Sequence, residues 1–212
     1  MARIDDYQQA LELVRKDLIK KDPAQVSNFS GADFLQIDQG KGLFSLIYLN
    51  KNITVSWPEL VVSTQKAEED LPIQQQVLIL HYLLGAWTAG GAGMTGEWIS
   101  FQDIPDGRFY LDAFVNRAKV PLVKAFGTQP EKLIEVASRA YDAVPFEHGD
   151  CSVLVKALPL IQVALILWEG DDEFPPEGNI LFDQNISRIL SAEDIAWLSG
   201  IIVYPLIGMA KP

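Results

Sequence analysis

Residues 152–183 read SVLVKALPLIQVALILWEGDDEFPPEGNILFD: two β-branched, leucine-rich runs, an acidic turn with two prolines, and a short apolar run closed by a carboxylate. Runs of this length and composition, 152–158 and 161–169, with only Pro159 and Leu160 between them, are expected as adjacent strands of a buried sheet. The acidic turn follows directly and has two readings. Asp171, Asp172 and Glu173 offer the hard oxygen donors that Mg²⁺ or Ca²⁺ takes, with Glu169, Glu177 or Asp183 available to complete a shell. The spacing does not match an EF-hand loop. As a structural turn, the segment would be anchored by buried Phe174 and Phe182 and stiffened by its prolines. Asp183 would then cap it by accepting N–H bonds.

Upstream, Ile4, Tyr7, Leu11, Val14 and Leu18 recur at helical steps, so a helix is expected that ends before Asp22-Pro23. Residues 33–38, 43–50 and 53–57 are short β-prone runs separated by Gln-Gly-Lys-Gly and Asn-Lys-Asn, as in a three-stranded antiparallel meander. Pro58 and Pro72 bracket an irregular segment with residues 66–70 exposed. Residues 77–84, VLILHYLL, are apolar nearly all round and read as a central buried helix. WISF (98–101) suggests a short strand or an extended link. Residues 108–126 read as a helix disturbed at Pro121 and stopped by Gly127. Thr128-Gln-Pro-Glu131 and Ser191-Ala-Glu-Asp194 both have capping-box form, the first starting a helix to about Tyr141 and the second a final helix ending near Pro205. Helices and strands come in runs, so the fold class is α+β: one domain over 1–212, with possible sub-lobes 1–72 and 73–212. Its expected parts are an N-terminal antiparallel meander, a central buried helix, a helical middle, a C-terminal strand pair and a final helix.

With 212 residues and 49% apolar composition, the chain can bury a large core. Acidic residues outnumber basic ones 28 to 17, a formal net charge of −11. From Glu147 onward there are ten Asp/Glu and three Lys/Arg, a net of −7. Such a balance disfavours nucleic acid, whose phosphates need clustered cations. A single cysteine, Cys151, leaves no internal disulfide and fits a reducing cytoplasm. The N-terminal segment lacks the plan of a signal peptide. The uncharged runs 157–168 and 195–210 fall short of the ~18 apolar residues of a membrane span and are expected as buried elements.

Other groups that carry chemistry have a structural reading beside the functional one. Gly91-Ala-Gly93-Met-Thr-Gly96 matches GxGxxG, but a dinucleotide site needs a strand before the glycines and a helix after them, and here the order is reversed. The loop, flanked by Trp87 and Trp98, remains a candidate to move over a ligand. His81 lies in the apolar helix, where a hydrogen-bonded core role is expected. Glu147-His148-Gly149-Asp150-Cys151 gathers metal-binding and nucleophilic groups within five residues, although neighbours on an extended chain alternate between faces. The candidate ligand-binding residues are therefore Asp171, Asp172, Glu173, Asp183, His148, Gly91, Gly93 and Trp98, with Asp171, Asp172 and Glu173 as the metal candidates. No catalytic residue is specified.

HYLLGAW (81–87), GEWISFQDIPDGRFY (96–110), ALPLIQVALILWEGDDEFPPEGNILFD (157–183) and LSAEDIAWL (190–198) together resemble the uncharacterised domain-of-unknown-function 3786 family, found largely in anaerobic bacteria and archaea. The resemblance brings no established reaction. Some relatives look like fusions to a cysteine-rich iron–sulfur domain similar to that of corrinoid iron–sulfur proteins. One cysteine cannot hold a four-thiolate cluster, so the resemblance implies that any redox or corrinoid chemistry comes from a partner protein. No cofactor is evident in this chain beyond a possible divalent cation. The leading expectation is a cytoplasmic, non-catalytic accessory module that binds a small molecule or a partner in anaerobic redox or corrinoid metabolism. One alternative is a carboxylate- and metal-dependent hydrolase with Asp171, Asp172 or Glu173 as ligands and His148 as base. Another is a structural subunit that docks through apolar surface near the final helix. The oligomeric state is not legible.

Overall fold

The computed structural model describes residues 4–64 and 71–210; the expected exposure of residues 66–70 falls outside them. The architecture is α+β, with two antiparallel sheets, and the chain divides into two compact units. The first unit comprises residues 1–93 with 158–160 and 188–190; the second comprises 94–157, 161–187 and 191–212.

In the first unit, α1 (Ile4–Leu18) buries Leu11, Val14 and Leu18 along one stripe. A helix that the sequence reading missed follows, α2 (Pro23–Ser30). The Asp22-Pro23 pair that ends one helix also starts the next: the Asp22 carboxylate accepts the Ala24 N–H at 3.2 Å, and Pro23 occupies the first turn, where no N–H is needed. The meander has four strands in the order β1 (Asp33–Asp38), β2 (Lys41–Tyr48), β3 (Lys51–Trp57) and β4 (Val62–Thr64). Phe44, Leu46, Tyr48, Ile53, Val55 and Trp57 alternate onto its buried face. Its β2–β3 turn is Leu49-Asn50, with φ of +47° and +61°, one step earlier than the Asn-Lys-Asn expected from sequence. Leucine is a poor left-handed residue, but its side chain is 5% exposed, and that burial offsets the backbone strain.

The central helix is α3 (Ile73–Thr88), which buries Val77, Leu78, Ile79, Leu80, Tyr82, Leu83 and Ala86 and packs against α1 and α2. The Tyr82 hydroxyl donates to the Ser30 carbonyl and accepts the Leu160 N–H at 3.2 Å, so a fully buried phenol is satisfied on both sides.

The second unit is built on a five-stranded sheet with the order β5 (Trp98–Ser100), β9 (Glu177–Asp183), β8 (Ile161–Trp168), β7 (Cys151–Leu158) and β6 (Val144–Pro145). The expected strand pair is thus the β7–β8 centre of a larger sheet. The brief apolar contact expected at 180–182 is the heart of β9, whose register pairs Phe182 with both Val163 and Ile99. Phe101, Phe114 and Phe182 form an aromatic cluster on one face, with the Phe101 and Phe114 rings stacked at 4.2 Å.

The helical middle is α4 (Gly107–Phe114), a π-helical turn over Val115–Lys119, and α5 (Val120–Phe126). The expected disturbance at Pro121 takes this form, since the wider turn accommodates a residue that can neither donate nor pack closely on the preceding turn. The helix α6 (Glu131–Tyr141) starts without the Thr128 cap: the Gln129 and Pro130 carbonyls accept the Lys132 and Leu133 N–H groups instead. After the short α7 (Ile186–Ile189), the capping box of α8 (Ala192–Ala210) forms as expected, with the Ser191 hydroxyl 2.7 Å from the Asp194 carboxylate and accepting the Asp194 N–H at 3.1 Å. The helix runs past Pro205, which sits on the exposed side, where loss of one backbone bond is tolerated. With 19 residues and a mean hydropathy of 1.3, α8 is long and apolar enough to cross a membrane, and half of that window is buried within the protein.

Within the first unit, a Cβ on Gly85 of α3 would lie 1.8 Å from the Ile189 carbonyl oxygen. Only glycine permits that approach. Gly85→Ala is expected to lower stability by about 2–3 kcal/mol, whereas Gly208→Ala, with nothing within 4 Å, should be neutral or stabilising by up to about 1 kcal/mol. Denaturant midpoints of the two variants check this.

Candidate ligand-binding cleft

Residues 169–176 link β8 to β9 and carry the acidic cluster. The turn is closed by one residue. The Asp171 N–H donates to the Phe174 carbonyl at 2.9 Å, and the Asp171 carboxylate accepts the Phe174 and Glu173 N–H groups at 2.7 and 2.8 Å. Those amides, Phe174 first and then Glu173, hold the Asp171 carboxyl below the usual aspartate value. Pro176 seats the loop. A Cβ on Gly170 would come within 2.6 Å of the Pro176 nitrogen, and one on Gly127 within 2.9 Å of its Cβ, so both glycines allow the close approach. The expectation that Phe174 anchors the turn is overturned, since it is 67% exposed while Phe182 is fully buried. The Asp171 hydrogen bonds and Pro176 close the loop without the ring, which is left pointing to solvent.

Between this loop and the start of α6 lies an open cleft of about 640 Å³. Five carboxylates, Glu131, Glu169, Asp171, Asp172 and Glu173, line it together with Phe174. Among the described residues, no three His, Cys, Asp or Glu side chains are grouped to hold a metal ion, so these acids share a field without forming a coordination shell. Glu131 had been seen only as a capping residue. Nothing local in the sequence ties it to Asp171, because α6 and three strands, β6 to β8, separate them.

The other sequence candidates lie outside the cleft lining. Asp183 is 1% exposed and acts as a clamp. Its carboxylate accepts the Thr95 N–H at 3.0 Å, the Gly96 N–H at 2.7 Å, the Asn185 N–H at 3.1 Å and the Thr95 hydroxyl at 3.1 Å. Asp183 does accept N–H bonds, but from the segment before β5 and from Asn185, not from the acidic turn that it was expected to cap. Trp98 pairs with Asp183 in the sheet, and its ring meets Phe146 edge-on at 4.8 Å. His148 is exposed and stacks on Phe146 at 4.6 Å.

Asp150 accepts the Glu169 N–H at 2.9 Å and so fixes the first residue of the acidic loop. The Cys151 thiol is buried, donates to the Pro130 carbonyl at 2.9 Å, and is pushed up in pKa by burial and then by the Glu131 and Glu169 charges. The groups of residues 147–151 thus diverge, as alternation along an extended chain requires. Gly91 and Gly93 belong to the first unit. Gly91 has φ +71°, donates to the Ala86 carbonyl at 3.1 Å and lies against Phe29, whereas Gly93 has open space around it.

Burial alone would raise the Asp183 pKa, but the Thr95, Asn185 and Gly96 donors outweigh it and hold the carboxyl below 3.8. A carboxyl depressed in the folded state stabilises fully above its unfolded pKa, and that contribution is lost as pH falls through the lower folded value. Asp183→Asn turns an NH₂ toward N–H donors and is expected to cost about 2–3 kcal/mol near neutral pH. The difference from the parent protein should shrink below pH 4, read from unfolding curves across that range.

Comparison with known proteins gives one result. Neither a curated protein nor a solved structure matches the chain. The model of a protein family described as a domain of unknown function, DUF3786, matches residues 22–204. That span contains both sheets, the acidic loop and the first two thirds of the final helix, and the chain is a member of the DUF3786 family.

Proposed function

We propose that this protein is a non-catalytic binding module whose acidic cleft takes a positively charged segment of a partner protein. The observation that carries the reading is the cleft itself, in which five carboxylates surround an exposed aromatic ring. Such a lining attracts Lys and Arg by charge, and the Phe174 face adds a cation–π contact. The neighbouring groups support binding over turnover. Asp171 serves its own turn as an ionised acceptor, which makes it a poor proton donor, and the Cys151 thiol is buried with a raised pKa. The family resemblance adds the partner class, a redox or corrinoid protein meeting the cleft through a basic face, in a cytoplasmic setting.

Pentalysine is a direct probe. It is expected to bind at low ionic strength and to weaken as salt approaches 0.15 M, where the screening length is about 8 Å. The Asp172→Asn/Glu173→Gln double variant leaves Asp171 and its turn intact, and should weaken binding about tenfold with an unchanged melting temperature. Loss of salt dependence, or equal binding by the variant, refutes the reading. A hydrolytic turnover abolished by Asp172→Asn would replace it with the metal-dependent alternative.

A further inference from the structure

Pro176 also lines a second, smaller groove of about 320 Å³, together with Lys119, Val120, Val123, Lys124, Glu177 and Gly178. It differs from the acidic cleft in both chemistry and charge. At 100° per residue, positions 119, 123, 120 and 124 fall in that angular order on one helical face, so the two lysines bracket the two valines. Val120 is 49% exposed although apolar, and Gly178 brings β9 against Val123, where a Cβ would lie 2.7 Å from the valine Cγ2. Among the described residues neither lysine forms an ion pair, although acids outnumber bases in the chain by 28 to 17. Glu177 is the one carboxylate in the lining, which leaves the groove with one net positive charge.

We infer that this groove is a second binding site, for a small amphipathic carboxylate whose apolar body lies along Val120, Val123 and Pro176 and whose anionic head is met by Lys119 or Lys124. The class follows from the lining. The apolar floor gains from covering by an aliphatic or aromatic body, and an ammonium head would meet two like charges. The volume is at the lower end for small-molecule sites, which limits the ligand to a short body. A bulky or multiply charged anion fits less well, since Glu177 opposes a second negative charge.

Octanoate, with octylamine as the oppositely charged control, tests this by NMR titration of the intact protein. Octanoate is expected to saturate one site and shift the resonances of Val120 and Val123, while octylamine leaves them in place. Lys119→Gln/Lys124→Gln should weaken octanoate about tenfold, and Glu177→Gln should tighten it about threefold. The tightening variant keeps the inference falsifiable if the double lysine variant folds poorly. No saturable octanoate binding, equal affinity in the lysine variant, or octylamine binding as tightly would each overturn it. Pentalysine binding to the acidic cleft should be undiminished by Lys119→Gln/Lys124→Gln, so this site and the proposed function can fail separately.

Discussion

A carboxylate removed from water has to be met by donors, and the second unit is organised around the way Asp183 is met. Four donors from Thr95, Gly96 and Asn185 converge on a side chain that is 1% exposed. That convergence holds the segment entering β5 at the end of β9, and the Gln184 N–H to Glu97 carbonyl bond at 2.8 Å extends the same ladder. With β5 held there, Trp98, Ile99 and Ser100 fall into register with Asp183, Phe182 and Leu181. Phe182 then reaches the Phe101–Phe114 stack. Because β9 is also paired with β8 from Val163–Phe182 to Trp168–Glu177, fixing one end of the strand fixes the other. The acidic loop springs from that other end.

The loop shows how a protein can concentrate negative charge without unfolding the segment that bears it. Each structural demand is met by something other than the exposed acids. Asp171 takes up the two amides of the turn, Asp150 takes the Glu169 amide, and Pro176 packs into space left by Gly127 and Gly170. Asp172 and Glu173 are left to solvent and to whatever approaches. Glu131, in the first turn of α6, sits where a helix N-terminus favours an anion, which offsets part of the repulsion from the loop.

Much of this fold was legible because local pattern and tertiary burial agree. The stripe of α1, the alternation of residues 53–57, the apolar helix α3 and the Ser191–Asp194 capping box each ask for the structure they adopt. The misreadings arise where a tertiary contact, or a second local signal, outweighs the first one. Leu49 occupies a left-handed turn because its side chain is buried, not because leucine favours turns. Asp22-Pro23 reads as a stop, yet a capping carboxylate followed by proline is equally a start. Thr128 and Glu131 have the letters of a capping box, but the tight turn from Phe126, in which the Gln129 N–H meets the Phe126 carbonyl at 3.0 Å, puts backbone carbonyls where the threonine would have served. Phe174 reads as an anchor because phenylalanine is usually buried, but Asp171 and Pro176 close its turn without it. In the candidate site, the acids of residues 169–173 are visible as a run, whereas Glu131 joins them only where the start of α6 faces their loop across the cleft.

The packing of the chain separates charge on a scale that net charge conceals. A value of −11 describes a uniformly repulsive surface for anions, but the field near any one group is set by neighbours within about 8 Å at physiological salt. Pro176 lines two such environments. Five carboxylates line the one at the start of α6, and two lysines and one glutamate line the other. A rigid proline is suited to be the wall between them, since it has no N–H to satisfy on either side and its fixed φ leaves little freedom to close one groove at the expense of the other. The acidic run that marks this chain in sequence is therefore one side of a local separation of charge, and Lys119 and Lys124 give the neighbouring groove a recognition chemistry of its own.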